Sequence, residues 1–190
     1  MTRTKTKQFQ YEIQAYQEDC VNNIVSLFAS LRQNINFVEV MTGHHNKHKY
    51  NFPIQDTKNI DIMMETGTGK TFTFIKTIFE LNKNYGYKKF IVLIPTVPIR
   101  EGTKTNLEDT KDYFKSYYAN QKEKEIEAFV YEGGNLSAVK QFIGTSHLSV
   151  LVMTPSSFNS KDNILNRPLE REMNQPELFV TNQEPPKSEI

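Results

Sequence analysis

Tryptophan is absent from these 190 residues, cysteine occurs once, and neither sign of charge prevails, with 23 Lys and Arg against 22 Asp and Glu. The lone Cys20 excludes an internal disulfide and suits a reducing compartment. On the apolar side of a helix it reads as a small core residue. A net charge of +1 excludes any global electrostatic pull toward nucleic acid or membrane, so such a surface would have to be local. No apolar run approaches the ~20 residues of a membrane span. The basic start Met1-Thr2-Arg3-Thr4-Lys5 is followed by polar residues, not by a signal-peptide core. The expectation is a cytoplasmic protein without membrane contact, of a length that suits one domain with its own core.

What is present is concentrated in Met64-Glu65-Thr66-Gly67-Thr68-Gly69-Lys70-Thr71. The apolar run Ile60-Asp61-Ile62-Met63-Met64 before it reads as a buried strand. After it, Phe72, Ile75, Ile78 and Phe79 recur at helical spacing, so a helix is expected to begin near Gly69. Strand, glycine turn and helix form the context in which Gly-Lys-Thr becomes a phosphate-binding loop. Gly67 and Gly69 let backbone approach phosphate in conformations that a Cβ resists. Thr66 to Lys70 would present N–H groups and the positive end of a helix to a polyanion. Lys70 would reach the β- and γ-phosphates of ATP, and the Thr71 hydroxyl would ligate Mg²⁺. The standard loop opens on a glycine where this chain has Met64, which disfavours a kinase-like or GTPase-like site. Arginine is also too sparse for the substrate lid of a metabolic kinase.

Along the rest of the chain, residues 1–8 read as a frayed basic end. Val21, Ile24, Val25, Leu27, Phe28 and Leu31 mark an amphipathic helix or helix pair from Tyr11 to about Leu31. Residues 40–58 read as a polar loop. His44, His45 and His48 within it have metal-like spacing, but flanking Lys47 and Lys49 and the absence of a nearby Cys argue for an exposed insertion. Phe90 to Ile94 is a continuous apolar run, as in a parallel strand buried on both faces. It stops at Pro95-Thr96, at the edge where α/β sheets bind ligands. A helix from about Thr105 to Asn120 follows, then a strand over Glu125–Tyr131 ended by Gly133-Gly134. A short helix near Leu136–Phe142 leads to the strand Leu148–Met153, which stops at Thr154-Pro155. Strands alternating with helices predict an α/β fold with a doubly wound parallel sheet.

Two resemblances add to this reading. Tyr16-Gln17, ahead of a helix and upstream of the phosphate loop, resembles the Q motif of superfamily 2 helicases, whose glutamine pairs with the adenine edge through one donor and one acceptor. Met64 to Thr71, Ile99-Arg100-Glu101-Gly102 and Ser157-Phe158-Asn159-Ser160-Lys161-Asp162-Asn163-Ile164 together look like the start of the Res subunit of type III restriction enzymes. That likeness covers about Tyr16 to Arg167. It implies a partial RecA-like, P-loop fold with flanking helices, belonging to an ATP-dependent DNA translocase and endonuclease that works with a methyltransferase (Mod) subunit. By carry-over, Gln17 would sit on adenine, Thr66, Gly67, Thr68, Gly69 and Lys70 on the phosphates, and Thr71 on Mg²⁺. Thr96 and Thr154 would lie along the DNA backbone, positioning it without reading sequence.

The expected organisation is a helical segment over 1–35 carrying Gln17, a polar loop over 36–58, an ATP-binding lobe over 59–167 and a polar tail over 168–190. After Thr154 no apolar strand ends in the Asp-Glu pair that the family needs for hydrolysis. The expectation is therefore an N-terminal piece of a larger enzyme, with no catalytic residue of its own. Two other readings are a piece of a different superfamily 2 motor, such as a type I restriction or repair helicase, and a non-catalytic product docking on a partner subunit.

Overall fold

The computed structural model describes residues 11–32, 36–49, 59–132 and 136–159. Three strands form one parallel sheet: β1 (Lys89–Leu93), β2 (Glu127–Val130) and β3 (Ser149–Met153), in the spatial order β1-β3-β2. Phe90 and Ala128 both stand beside Val150, and Val92 and Val130 beside Val152. Side chains alternate across a strand, so β3 presents Val150 and Val152 to one layer and Leu151 and Met153 to the other. All five β3 residues are buried, which explains its unbroken apolar sequence.

The first layer is built by α3 (Lys70–Tyr85) and α5 (Lys111–Tyr117). Phe72, Ile75, Ile78 and Phe79 of α3 pack with Phe114, Tyr118, Val150 and Val152. Phe114 lies at the centre, its ring stacked 5.2 Å from Phe72 and 5.1 Å from Phe79. The second layer is smaller. There α6 (Leu136–Gly144) brings Val139 and Phe142 onto Leu151, Met153 and Tyr131. Helices on both faces make this an α/β architecture, a partial RecA-like doubly wound sheet. Because α6 lies over β2 and β3, Ile91 and Leu93 of β1 stay 59% and 55% exposed.

The remaining helices are α1 (Ala15–Arg32), α2 (Phe37–His48), α4 (Val97–Asp109) and the four-residue α7 (Ser156–Asn159). Three local expectations are corrected. Ile60 to Met64 forms no strand, and Ile62 and Met63 are 50% and 89% exposed. A strand exists only through a ladder partner, and among the described residues none lies beside this run. The expected loop is helical through His48, begun by the Asn36 side chain accepting from Val38 N–H at 2.9 Å. Residues 50–58 of that loop lie outside the described residues. Finally, the helix expected from Thr105 starts at Val97, because Pro98 sits in its first turn, where a missing N–H is harmless. It gives way at Thr110 to α5. The frayed start at 1–8, Gly133-Gly134 and the tail over 168–190 also lie outside the described residues.

On the surface, Glu125 takes Lys111 at 2.8 Å and Lys115 at 2.5 Å. These two ammonium groups hold its carboxyl down at about 2. A depressed folded pKa adds stability above the unfolded value, and that contribution drains away as pH falls from about 4.5 through about 2. The site is open to solvent, so the effect is small and screened by salt. Glu125→Gln is thus expected to lower the urea midpoint slightly at pH 7. The gap to wild type should close as pH approaches 2, or at 1 M salt near pH 7. A gap that persists at both would refute the ion-pair account.

Candidate nucleotide site

The glycine loop leads directly into α3, which starts at Lys70 with Gly69 as its cap residue. Gly67 and Gly69 adopt φ of +82° and +80°, the left-handed region that glycine enters without strain. The Thr68 hydroxyl donates to the Glu65 carbonyl at 2.7 Å, closing the turn. Thr73 N–H bonds Gly69 O at 2.9 Å, so the helical ladder begins on the last loop residue. Glu65, Thr66, Gly67 and Lys70 are exposed and Thr71 is half-buried, which leaves the loop's outer side open. The Lys70 ammonium folds back, donating to the carbonyls of Glu65 at 2.7 Å and Met64 at 3.2 Å. Its charge is thereby held against the backbone of the turn.

The fit to Mg·ATP is good on three counts: positive-φ glycines on either side of Thr68, an ammonium in reach of the turn, and a hydroxyl in the first helical turn. The first-turn N–H groups of α3 have no intrahelical acceptor and point toward the same space. Among the described residues no cluster of three or more His, Cys, Asp or Glu could hold a metal ion.

Gln17 lies against the loop and bonds its backbone. Its Nε2 donates to the Thr68 carbonyl at 2.9 Å, and its Oε1 accepts from Gln14 N–H at 3.2 Å. The second bond satisfies a free N–H at the start of α1, as in a capping box. Tyr16 hydroxyl donates to the same Thr68 carbonyl at 3.2 Å. The neighbouring Glu18 reaches Lys76 of α3 at 3.2 Å, and Lys76 also donates to Tyr117 hydroxyl at 3.0 Å. Burial pulls the Lys76 ammonium down, but Tyr117 and Glu18 outweigh it and its pKa ends above the ordinary value. Sequence reasoning passed over Lys76. The signal was a lysine on the apolar face of an amphipathic helix, with Phe72, Ile75 and Phe79 around it.

Thr96 and Thr154 end adjacent strands, whose C-termini are tied by Ile94 N–H to Met153 O at 2.8 Å. Thr96 is exposed at the start of α4, with no capping hydrogen bond from its side chain. Thr154 is buried, its hydroxyl 2.7 Å from that of Ser156 and 3.2 Å from that of Ser157. Of the two, Thr96 offers an open hydroxyl. Arg100 is buried too, donating to Glu101 and Glu132 at 2.9 Å and to Tyr131 O at 3.4 Å. Two carboxylates neutralise it, so it fastens α4 to the end of β2 and is not available to a phosphate.

The family model for "Type III restriction enzyme, res subunit" matches residues 10–182. The chain is 36% identical over 144 residues to the Res subunit of type III restriction-modification enzyme EcoP15I from Escherichia coli, covering 67% of this chain and 14% of that protein. It is 33% identical over 171 residues to the EcoPI Res subunit of Escherichia phage P1, covering 78% of this chain and 17% of the relative. A match of 64 residues at 41% identity to the StyLTI Res subunit of Salmonella typhimurium covers 34% of this chain and 6% of that one. The chain thus spans less than a fifth of the length of the relatives it matches. No described helix is long and apolar enough to cross a membrane. This chain belongs to the type III restriction enzyme res subunit family.

Proposed function

We propose that this chain is the ATP-binding part of the motor lobe of a type III restriction enzyme, which in complete form would move along and cut DNA beside a methyltransferase (Mod) subunit. The observation that carries this reading is the glycine loop with Lys70 and Thr71 at the head of α3. Thr66 to Lys70 cradle the phosphates of ATP, Thr71 holds Mg²⁺, and Gln17 bounds the loop from α1. Mg²⁺, when bound, neutralises charge on the β- and γ-phosphates. A DNA strand lies along the turns after β1 and β3, meeting the Thr96 hydroxyl directly, while Thr154 shapes its turn from inside. The cytoplasm is the compartment where such an enzyme meets DNA and ATP. No Asp-Glu pair follows Thr154 in these 190 residues, so binding without steady turnover is expected of them.

Isothermal titration of the purified chain with Mg·ATP tests the proposal. Saturable binding at one site per chain is expected. Heat no greater than dilution at millimolar nucleotide would overturn it, and steady phosphate release that Lys70→Ala abolishes would overturn the expectation of binding without turnover.

A further inference from the structure

We propose that His44 and His48, one turn apart on α2, form a two-imidazole site for a divalent transition-metal ion such as Ni²⁺ or Zn²⁺. The pair lies on a helix ahead of the phosphate loop, and its ligand chemistry is independent of any nucleotide.

The spacing matters because the segment is helical. In a loop the histidines would have no fixed relation, whereas α2 puts residues four apart on one face. That face is the inward one. Phe37 is buried, and Met41, His44 and His48, following at steps of four, three and four, are half-buried, while Asn46 and Lys47 are exposed. Lys47 and Lys49, whose charge argues against a cation in a loop, both stand in water, where it is screened.

The two rings already stand at the separation one ion requires. Their centroids lie 4.5 Å apart, with planes inclined by 44°. With metal–nitrogen bonds of ~2.0 Å, two imidazoles on one ion stand about 4.5 Å apart at a right angle and about 5 Å at the tetrahedral angle. Burial first, then His48, His45 and, least, Lys47 hold the His44 pKa below its ordinary value, so near pH 7 the ring is in the neutral, ligating form. Imidazole suits Ni²⁺, Cu²⁺ and Zn²⁺, whereas Mg²⁺ asks for oxygen. Among the described residues no third His, Cys, Asp or Glu completes a set with the pair, His45 included, so water fills the remaining positions. A bound ion closes one turn of a helix that Gly43, Val38, Val40 and Thr42 favour only weakly.

Ni²⁺ and Zn²⁺ would be titrated calorimetrically into the full chain carrying Cys20→Ser, so that the thiol cannot compete. One ion per chain is expected, and millimolar Mg²⁺ should not displace it. His44→Ala or His48→Ala turns a two-point hold into a one-point hold, so either should weaken binding about a hundredfold. His45→Ala and His147→Ala should leave the affinity unchanged. The ion should raise the Tm of the parent protein but not that of the two ligand variants. Alanine is a good helix former, so the metal-free circular dichroism of these variants should match the parent. If either alanine variant fails to fold, His44→Asn and His48→Asn, which keep a polar group without an imidazole, should show the same loss. No saturable binding at millimolar ion would overturn the site, as would displacement by Mg²⁺ or binding that folded ligand variants retain. An equal loss in His45→Ala or His147→Ala would overturn the pair in favour of ligands drawn from elsewhere in the chain.

Discussion

Lys70→Ala is expected to erase the thermal stabilisation that Mg·ATP confers on this chain. A ligand at 100 times its Kd adds about 2.7 kcal/mol to the folded state, a shift of several degrees in a domain of this size. The ammonium is the mobile charge of the site. It rests on the Met64 and Glu65 carbonyls and would exchange them for phosphate oxygens. Without it the loop keeps its N–H groups but loses a full positive charge within reach of the β- and γ-phosphates. Ligand-free stability should change little, because Lys70 is exposed and its hydrogen bonds stay within the loop. Thermal unfolding of both proteins, with and without Mg·ATP, gives the answer. Equal shifts in the two would place the nucleotide elsewhere on the molecule.

Phe114→Ala should cost about 3–5 kcal/mol, the ordinary range for emptying a large aromatic site in a packed core. Phe114 is 1% exposed and stacks on both Phe72 and Phe79, with Tyr113 edge-on at 5.2 Å. Each such pair adds roughly 0.5–1.5 kcal/mol beyond area burial. The neighbours belong to α3 and to α5 itself, so they have little freedom to close the gap. Against a total stability of about 5–15 kcal/mol, the variant stands near the threshold of folding. Phe114→Leu, which refills much of the volume, should recover a good part of the loss. Urea unfolding of the three proteins tests this. A loss under about 1 kcal/mol for Phe114→Ala would show that the layer beneath α3 is not the main core.

The sheet was legible in the sequence as unbroken apolar runs. Leu148–Met153 and Phe90–Ile94 announce themselves that way, and β3 and β1 follow within a residue of those bounds. Burial on both faces explains the run for β3 but not for β1. Expected to be covered on both sides, β1 is exposed at Ile91 and Leu93 because α6 lies over β2 and β3. Ile60–Met64 carries the same signal and forms no strand, because apolar character states a preference for burial while a ladder needs a neighbour. Helix α2 was hidden for the opposite reason. Gly43 and three histidines dilute its apolar face, and its start depends on one Asn36 side chain. At the loop, residue types and spacing placed the glycine turn and the helix start, and Gly67 and Gly69 do take positive φ just before α3 begins at Lys70. That the Gln17 amide would meet Thr68 O was not legible, because it depends on how α1 lies across α3. That placement is made by Glu18, Lys76 and Tyr85, residues far apart in sequence.

The order β1-β3-β2 has a consequence for how this chain must be made. Among the described residues β1 and β2 are not paired with each other, and each pairs with β3, the last of these three to be synthesised. Phe90 pairs at the level of Val150, 150 − 90 = 60 residues downstream. At a synthesis rate of ~5–20 residues per second, β1 leaves the ribosome roughly 3 to 12 s before its ladder can close. During that interval Phe90, Ile91, Val92 and Leu93 are an apolar segment with free N–H and C=O groups, the form most prone to pair with another nascent chain. Slower translation between Ile94 and Ser149 would lengthen the interval and lower the yield of native protein without altering the fold that finally forms.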